Sequence, residues 1–180
     1  ENNSKNEWYY FGSYGSVSGW KKLGGYWYYF DADNNDAMVT GAVSIAGDGR
    51  YYFDGSGAMI TGWRHVGDYW YYFNEDGSMK IGWLKDGSSW YYLADSGAMV
   101  TGWARIDGEW YYFASSGAMK TGWVKSGGKW YYLDASGRMV VDTEITENGV
   151  TVTKDVGKKD LRFENKIWLG TLTILKIDGD

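Results

Sequence analysis

The stretch TGWRHVGDYWYYFNEDGSMKIGW, residues 61–83, contains three Trp, three Tyr and one Phe. Its main features recur downstream at a constant step of 20 residues: a Gly-Trp pair, a Trp that opens WYYF or WYYL, and a Met. The three series are Trp63, Trp83, Trp103 and Trp123; Trp70, Trp90, Trp110 and Trp130; and Met79, Met99, Met119 and Met139. A fixed period of this length is the sequence signature of a repeat architecture.

The pattern continues upstream in a less regular form. The repeat that begins at Gly19 carries an insertion within DADNNDAM. In the repeat that begins at Gly41, Ala42 replaces the Trp of Gly-Trp and Arg50 replaces the Trp of WYY. The preceding EWYYFGSYGSVSGW is half a repeat. We therefore count six full repeats over residues 19–141, with a half repeat before them.

The turn-forming residues of each repeat are spaced as in a β-hairpin. Asp-Gly, Gly-Gly and Ser-Gly steps supply turn residues that tolerate positive φ. The runs between them are short and rich in Trp and Tyr, which favour strands. One such hairpin cannot bury enough apolar surface to be stable alone, whereas stacked neighbours can. The sequence therefore predicts an all-β fold of hairpin repeats stacked into a β-solenoid.

The aromatic residues of each repeat divide between the two faces of a strand, because successive side chains point to opposite faces. In WYYF, Trp70 and Tyr72 share one face, while Tyr71 and Phe73 share the other. The face with Tyr71 and Phe73 is the more apolar and is predicted to form core. The opposite face, with Trp70 and Tyr72, is predicted to lie beside Trp63, the Gly-Trp ring seven residues before Trp70.

The rings admit three interpretations. They can serve only as core and inter-repeat packing, because each large aromatic side chain buries 150–250 Å². Alternatively, Trp63, Trp70 and a ring of the next repeat can form an open box for a quaternary ammonium, with no fixed cation nearby to compete for the π faces. The same box also suits a sugar ring, and composition alone does not choose between these ligands.

The pattern TGWxxxxGxWYYxxxxGxMxTGW resembles the choline-binding repeat of cell-wall-anchored proteins and lysins of Gram-positive bacteria and their phages. The resemblance covers residues 7–141, with full motifs in five of the six repeats. It implies a left-handed β-solenoid with choline sites between consecutive repeats, where phosphocholine groups of teichoic acids dock. It also implies a secreted protein associated with the cell wall.

In that family, a site takes the Gly-Trp ring and the WYY Trp of one repeat, together with the second Tyr and the Met of the next. Carried over, the resemblance implies four choline sites in this sequence: Trp63 and Trp70 with Tyr92 and Met99; Trp83 and Trp90 with Tyr112 and Met119; Trp103 and Trp110 with Tyr132 and Met139; and Trp20 and Trp27 with Tyr52 and Met59. The insertion at Asn34 and Asn35 lies beside the fourth site.

Two places depart from this pattern. Ala42 and Arg50 remove both cage Trp, and Arg50 brings a positive charge, so no choline site is expected between that repeat and the next. Trp123 and Trp130 have no following repeat to supply a Tyr, so their site is expected to be incomplete.

Two other functions remain open at this level. The glucan-binding repeats of streptococcal glucosyltransferases and the carbohydrate-binding repeats of clostridial toxins share YYF…G…TGW, which makes a glycan-binding module the main alternative. A structural spacer or adhesin stalk would use the rings for packing alone.

Residues 142–180 lack the repeat and are predicted to form a cap or a small β extension after the array at residues 1–141. EITENGVTVT is predicted to form a hairpin with a turn at Asn148 and Gly149. KIWLGTLTILKI is apolar and β-branched enough for a buried strand.

The composition favours a binding module over an enzyme. With one His and no Cys, neither a His-based metal cluster nor a Cys nucleophile is available, and we predict no catalytic residues, metal site or cofactor. The single His65 occupies a position that other repeats fill with Lys or Arg and is expected to be solvated. The net charge of -5 and the scattered Lys and Arg argue against nucleic acid as a partner. The sequence has no apolar run long enough to span a membrane.

Overall fold

The computed structural model describes residues 7–140 and four further strand segments, 144–147, 150–153, 163–169 and 172–176. The fold is all-β, as predicted. Its strands are β1 (Phe11–Gly12), β2 (Gly15–Ser16), β3 (Gly19–Leu23), β4 (Tyr26–Asp31), β5 (Ala37–Met38), β6 (Gly41–Ile45), β7 (Gly49–Phe53), β8 (Gly62–Val66), β9 (Tyr69–Phe73), β10 (Gly82–Asp86), β11 (Ser89–Leu93), β12 (Gly102–Ile106), β13 (Glu109–Phe113), β14 (Gly122–Ser126), β15 (Lys129–Leu133), β16 (Glu144–Glu147), β17 (Val150–Thr153), β18 (Phe163–Leu169) and β19 (Leu172–Lys176).

The chain divides into two compact units, and the boundary runs through β10 and β11. The first unit comprises residues 1–85 and 92–99, and the second comprises residues 86–91 and 100–180. The predicted boundary after residue 141 lies elsewhere in the sequence and remains a prediction. The left-handed sense of the array also remains a prediction.

In the first unit, β3 pairs with β4, β6 with β7 and β8 with β9, each as an antiparallel hairpin. In the second unit, β12 pairs with β13 and β14 with β15 in the same way. Two-residue turns join most of these strands, and the turns are rich in glycine as the sequence indicated. At Asp107 and Gly108, for example, φ is 51° and 89°, the positive pair that a tight hairpin turn requires.

The repeat at Gly41 has a longer turn than its neighbours. Three residues, Ala46 to Asp48, connect β6 to β7, whereas two residues connect β8 to β9. The repeat at Gly19 also differs, because its insertion forms a 3₁₀ turn at Ala32–Asn34 and then strand β5, which adds to β4. Both irregularities lie in connections and leave the hairpins paired.

The predicted core face is buried. Phe73 is 4% exposed, and Leu93 and Leu133 are 0% exposed. In the first unit, Phe53 and Tyr51 of this face form a cluster with Ile45, against which Trp20 of the preceding repeat packs. The more apolar face of WYYF is therefore core, as strand alternation predicted.

Consecutive hairpins are joined by a backbone hydrogen bond at each Met. The Met N–H donates to the carbonyl oxygen of the residue that opens WYY one repeat earlier. In the first unit the donor and acceptor pairs are Met59 and Trp27 (2.8 Å), Met79 and Arg50 (2.7 Å), and Met99 and Trp70 (2.7 Å). In the second unit they are Met119 and Trp90 (2.7 Å), and Met139 and Trp110 (2.7 Å).

The Met side chain also fills a space that only glycine leaves open. A Cβ built on Gly77 would lie 2.1 Å from the Met59 sulfur, and a Cβ on Gly137 would lie 2.4 Å from the Met119 sulfur. Both glycines have positive φ, 81° and 84°. The Met-to-Gly contact therefore fixes how closely one hairpin approaches the next.

The C-terminal segments are also β-structure. β16 pairs with β17, as the predicted hairpin requires, and its turn at Asn148 and Gly149 lies outside the described residues. KIWLGTLTILKI forms parts of two strands, β18 and β19, paired antiparallel, so the prediction of a single strand was wrong. A Gly-Thr step separates the two strands in the sequence, and residues 170 and 171 lie outside the described part of the chain.

Candidate functional site

The Gly-Trp ring of each hairpin lies across from the second Tyr of its own WYY. The register pairs Trp103 with Tyr112 and Trp123 with Tyr132, and directly opposed residues share a face of the hairpin. The ring centroids are 5.0 Å and 5.1 Å apart, with the planes at 65° and 68°. The second Tyr therefore supports the Gly-Trp ring edge to face within one repeat.

The two predicted cage Trp of a repeat stand nearly perpendicular to each other. The centroids of Trp103 and Trp110 are 6.5 Å apart with an interplanar angle of 83°. Trp20 and Trp27 repeat this geometry at 6.3 Å and 89°. The insertion in the repeat at Gly19 therefore leaves its Trp pair in the same arrangement as in a regular repeat.

A ring of the following repeat meets the Gly-Trp ring in both of these places. The centroid of Tyr131 lies 4.7 Å from that of Trp103, at 66°. The centroid of Tyr51 lies 4.9 Å from that of Trp20, at 69°. Trp20 and Trp103 thus each contact a Trp of their own repeat and a Tyr of the next, and we call each of these three-ring clusters a corner. Tyr51 is 8% exposed, whereas Trp27 is 41% exposed, so the first corner offers a ligand mainly its indole surface.

The predicted third walls, Tyr52 and Tyr132, remain a prediction, and the rings that contact the Gly-Trp rings in the structure are their neighbours in sequence. Tyr51 and Tyr131 are the first Tyr of their motifs, whereas the prediction named the second, Tyr52 and Tyr132. Tyr132 lies against Trp123 of its own hairpin, and Tyr52 lies 6.1 Å from Phe73 with the Arg64 guanidinium 5.7 Å from its ring centroid. The reason is alternation: the first Tyr shares the core face that the preceding hairpin covers.

The remaining two predicted sites are only partly described. For Trp63 and Trp70, the Met99 N–H bonds to the Trp70 carbonyl, while Tyr92 lies 5.2 Å from Trp83 across its own hairpin. For the next site, the Met119 N–H bonds to the Trp90 carbonyl, and Tyr112 lies against Trp103. Trp83 and Trp90 belong to different compact units, so their joint site remains a prediction.

The Trp that opens WYY is partly open to solvent in every repeat that has one. Exposed fractions are 41% for Trp27, 45% for Trp70, 41% for Trp90, 42% for Trp110 and 43% for Trp130. Each of these indoles therefore leaves part of its surface accessible to a ligand.

Carboxylates surround the corner formed by Trp20, Trp27 and Tyr51. The Trp20 indole Nε1–H donates to Asp48 Oδ2 at 3.0 Å, and the Tyr51 hydroxyl donates to the Asp48 carbonyl oxygen at 3.2 Å. Burial, followed by the charges of Asp48 and Asp76, raises the pKa of Tyr51. The carboxylates of Asp48 and Asp76 are thus near enough to this corner to favour a cation there.

The expectation that no fixed cation lies near these rings was wrong for some repeats. The Lys22 ammonium is 5.6 Å from the Trp27 ring centroid, and the Lys125 ammonium is 5.8 Å from that of Trp130. The register explains both contacts, because it places each Lys directly opposite its Trp. His65 occupies the same position opposite Trp70, is exposed as predicted, and lies 5.1 Å from that ring.

The repeat at Gly41 lacks the corner. Ala42 leaves no ring opposite Tyr52, and the Arg50 guanidinium donates to the carbonyl oxygens of Asp95 at 2.6 Å and Ser96 at 3.3 Å. A fixed positive charge thus takes the place of a cage indole, which agrees with the expectation that choline does not bind there.

Other site classes find no support in the described residues. Among them, no group of three or more His, Cys, Asp or Glu is arranged to hold a metal ion. In the same part of the chain, no helix has the length and hydropathy needed to cross a membrane.

Similarity to known proteins agrees with this geometry. A family profile described as choline-binding repeat matches residues 17–61, 60–101 and 100–143. No curated protein sequence matches the chain. Among solved structures, choline binding protein F from Streptococcus pneumoniae is 40% identical, with a TM-score of 0.71, over 85% of this chain and 54% of that one.

CbpJ from Streptococcus pneumoniae TIGR4 is 42% identical, with a TM-score of 0.69, over 79% of this chain and 48% of that one. Choline binding protein F has also been solved in the presence of a peptidoglycan analogue, a tetrasaccharide-pentapeptide; that structure is 42% identical over 83% of this chain and 51% of that one, with a TM-score of 0.68. The chain spans about half the length of these structures. On the profile matches and these similarities, the chain belongs to the choline-binding repeat family.

Proposed function

We propose that this chain is a non-catalytic module that attaches a protein to choline-decorated teichoic acids of the bacterial cell wall. The observation that carries the proposal is the corner formed by Trp103, Trp110 and Tyr131. The Trp103 centroid lies 6.5 Å from that of Trp110 and 4.7 Å from that of Tyr131, and Trp110 is 42% exposed, so an aromatic surface in this cluster is open to a ligand. A quaternary ammonium is attracted to such faces by cation–π interaction, at about 0.5–2 kcal/mol per ring.

A further observation favours a cation over a neutral sugar. The corner recurs with Trp20, Trp27 and Tyr51, where the Asp48 carboxylate is held against the Trp20 indole at 3.0 Å. That negative charge attracts a cationic ligand and gives a neutral sugar no comparable advantage.

By this proposal, the third wall of each site is the first Tyr of the following WYY. This assigns Tyr51 and Tyr131 to the two described corners. The Met backbone N–H donates a hydrogen bond to the carbonyl oxygen of the WYY Trp and so holds that residue in place. The Met139 N–H does this for the Trp110 carbonyl oxygen at 2.7 Å. Location at the bacterial cell surface follows from the proposed polymer.

Repetition compensates for weak single sites. Each corner presents only a few contacts to a small ligand, so individual affinities are expected in the millimolar range. A polymer that carries many cholines can engage several corners at once, and the later contacts form at high effective concentration.

Retention on a resin that carries tertiary or quaternary amines tests the proposal. The chain is acidic, with a net charge of -5, so simple ion exchange must be suppressed. In about 1 M salt, where the Debye length is about 3 Å, we expect retention to persist and free choline to release the protein. Loss of retention in salt, together with binding to glucan or another oligosaccharide, would instead indicate a glycan-binding module.

A further inference from the structure

The step between the repeats that begin at Gly41 and Gly62 has the geometry of a ligand site with altered chemistry. Ala42 and Arg50 stand at the positions of the two cage Trp, and Tyr71 is the first Tyr of the following repeat. The Met79 N–H donates to the Arg50 carbonyl at 2.7 Å, the same bond that Met139 makes to Trp110. The backbone of a site is therefore present without its indoles.

Removal of the two indoles leaves a groove of about 280 Å³. Its lining is largely apolar and includes Tyr51 of the same repeat and Val66, Tyr71 and Phe73 of the following hairpin. Ser44 and Arg50, opposite each other in the register, line its other side. Both are exposed, so the groove opens to solvent.

The Arg50 guanidinium is held at this groove by two hydrogen bonds and has further N–H donors available. One terminal nitrogen donates to the Asp95 carbonyl at 2.6 Å and the other to the Ser96 carbonyl at 3.3 Å. A guanidinium has five N–H donors, so three remain after these two bonds, including Nε–H. Neutral carbonyl oxygens orient the guanidinium but do not cancel its charge.

A second arginine lies at the same step. Arg64 stands where the other repeats have Lys21, Val43, Leu84, Ala104 and Val124. Its guanidinium is 5.7 Å from the centroid of Tyr52, which lines the groove, and it lies near enough to the Asp54 carboxylate to contribute to the lowered pKa of that group. Arg50 and Arg64 thus bring two positive charges to this step, and the Asp54 carboxylate beside Arg64 offsets part of the second. The charge of Arg50, which is bonded only to neutral carbonyl oxygens, is the one available at the groove.

We infer that this groove binds an oxyanion, a phosphate or a carboxylate, attached to a small apolar or ring-shaped group. Arg50 supplies charge-assisted hydrogen bonds to the oxyanion, in the planar geometry that suits both groups. The Ser44 hydroxyl offers a further donor, and the partly exposed Val66 and Tyr71 cover the apolar part. The groove shares Tyr51 with the corner at Trp20 but takes its ligand through Arg50, so this inference does not rest on the proposed function.

Titration of the ¹⁵N-labelled chain with phenyl phosphate, and separately with benzoate, tests the inference at low ionic strength. The Nε–H signals of the arginines report the contact. We expect a saturable shift of the Arg50 signal with at least one of the two probes and no saturable shift of the Arg105 signal. Binding of phenyl phosphate alone assigns the groove to phosphates, binding of benzoate alone assigns it to carboxylates, and binding of both assigns it to oxyanions in general.

Matched variants separate a site from nonspecific attraction. Arg50→Gln should weaken binding about tenfold or more, because charge-assisted hydrogen bonds are lost. Arg105→Gln removes an arginine from another hairpin, where its Nε–H bonds to the Gly108 carbonyl, and should leave binding unchanged. Arg50→Lys should retain part of the affinity.

Three results would overturn the inference: no saturable shift with either probe, unchanged binding in Arg50→Gln, or equally tight binding of the neutral benzyl alcohol to the unmodified chain. The last comparison needs no variant and therefore holds even if Arg50→Gln fails to fold.

Discussion

At the scale of single residues, the two tyrosines of WYY have different tasks although they are neighbours in sequence. The first Tyr lies on the core face and contacts the Gly-Trp ring of the preceding hairpin, as Tyr131 does with Trp103. The second lies on the opposite face and supports the Gly-Trp ring of its own hairpin, as Tyr132 does with Trp123. Strand alternation alone separates the two roles.

This difference leads to a prediction for choline binding at one corner. Tyr131→Leu should weaken choline binding by Trp103 and Trp110 about fivefold, because one cation–π contact of about 1 kcal/mol is lost. The indole N–H signals of the two Trp measure that corner separately in an NMR titration. Tyr131→Phe retains the π face and should bind nearly as the unmodified chain does.

Tyr132→Leu is the matched control, because it removes a ring one position along the same strand that faces Trp123 instead. It should leave the Trp103 and Trp110 corner almost unchanged. A larger effect from Tyr132→Leu than from Tyr131→Leu would contradict our assignment of the third wall and support the one that the family resemblance implied.

The sequence predicted much at this scale. Alternation placed Phe73, Leu93 and Leu133 in the core, and they are buried. The same alternation could have identified Tyr131, because a hairpin that covers the core face of its neighbour must meet the first Tyr. What the sequence does not contain is the offset between stacked hairpins, which depends on tertiary packing.

At the scale of the hairpin, the Met-to-Gly contact sets the spacing between repeats. Gly77→Ala should lower the free energy of unfolding by about 2–4 kcal/mol, because it combines a positive φ of 81° with a Cβ that would lie 2.1 Å from the Met59 sulfur. Chemical denaturation followed by Trp fluorescence measures the loss.

The Gly62→Ala variant separates the cost of a positive φ from the cost of the clash with the Met side chain. Gly62 also has a positive φ, 74°, but a Cβ there meets nothing within 4 Å, so only the backbone cost of about 1–2 kcal/mol should remain. Equal losses in the two variants would show that the Met contact does not determine the spacing.

The second turn of the repeat should make stability dependent on pH. Hydrogen bonds from Ser56 lower the pKa of Asp54, and those from Ser78 lower the pKa of Asp76. A carboxyl whose pKa is lower in the folded state stabilises the fold above its unfolded pKa of about 3.9 and loses that contribution as pH falls through the folded value. Thermal melting midpoints should therefore fall as the pH drops below about 4.

Asp54→Ala should melt at a lower temperature at neutral pH and lose less stability on acidification than the unmodified chain. Asp68→Ala removes the same charge from an exposed two-residue turn and serves as the control. If Asp54→Ala and the unmodified chain show the same acid dependence, the Ser56 hydrogen bonds do not contribute as described.

The elements themselves were largely predictable, since turn glycines and aromatic runs determine hairpins locally. The exceptions have physical causes. Two irregularities lie in connections, where they do not disturb strand pairing: the extra residue between Ile45 and Gly49, and the 3₁₀ turn at Ala32–Asn34. The second tail strand was missed because apolar composition does not reveal where a chain turns back.

At the scale of the whole molecule, repetition supplies several sites from one short pattern. The corner at Trp20 lies in the first compact unit and the corner at Trp103 in the second, and their Trp pairs agree within a few tenths of an ångström in centroid distance. Each corner needs two consecutive repeats. An array can therefore gain or lose a site by changing residues at one step, as Ala42 and Arg50 illustrate.

Equilibrium dialysis with labelled choline, carried to saturation, counts the sites. We expect about four cholines per chain, one for each pair of cage Trp that a further repeat follows. The Trp103→Ala, Trp110→Ala double variant should bind about one fewer while retaining its fold. Saturation below one choline per chain, or an unchanged number in the double variant, would contradict the proposed choline sites.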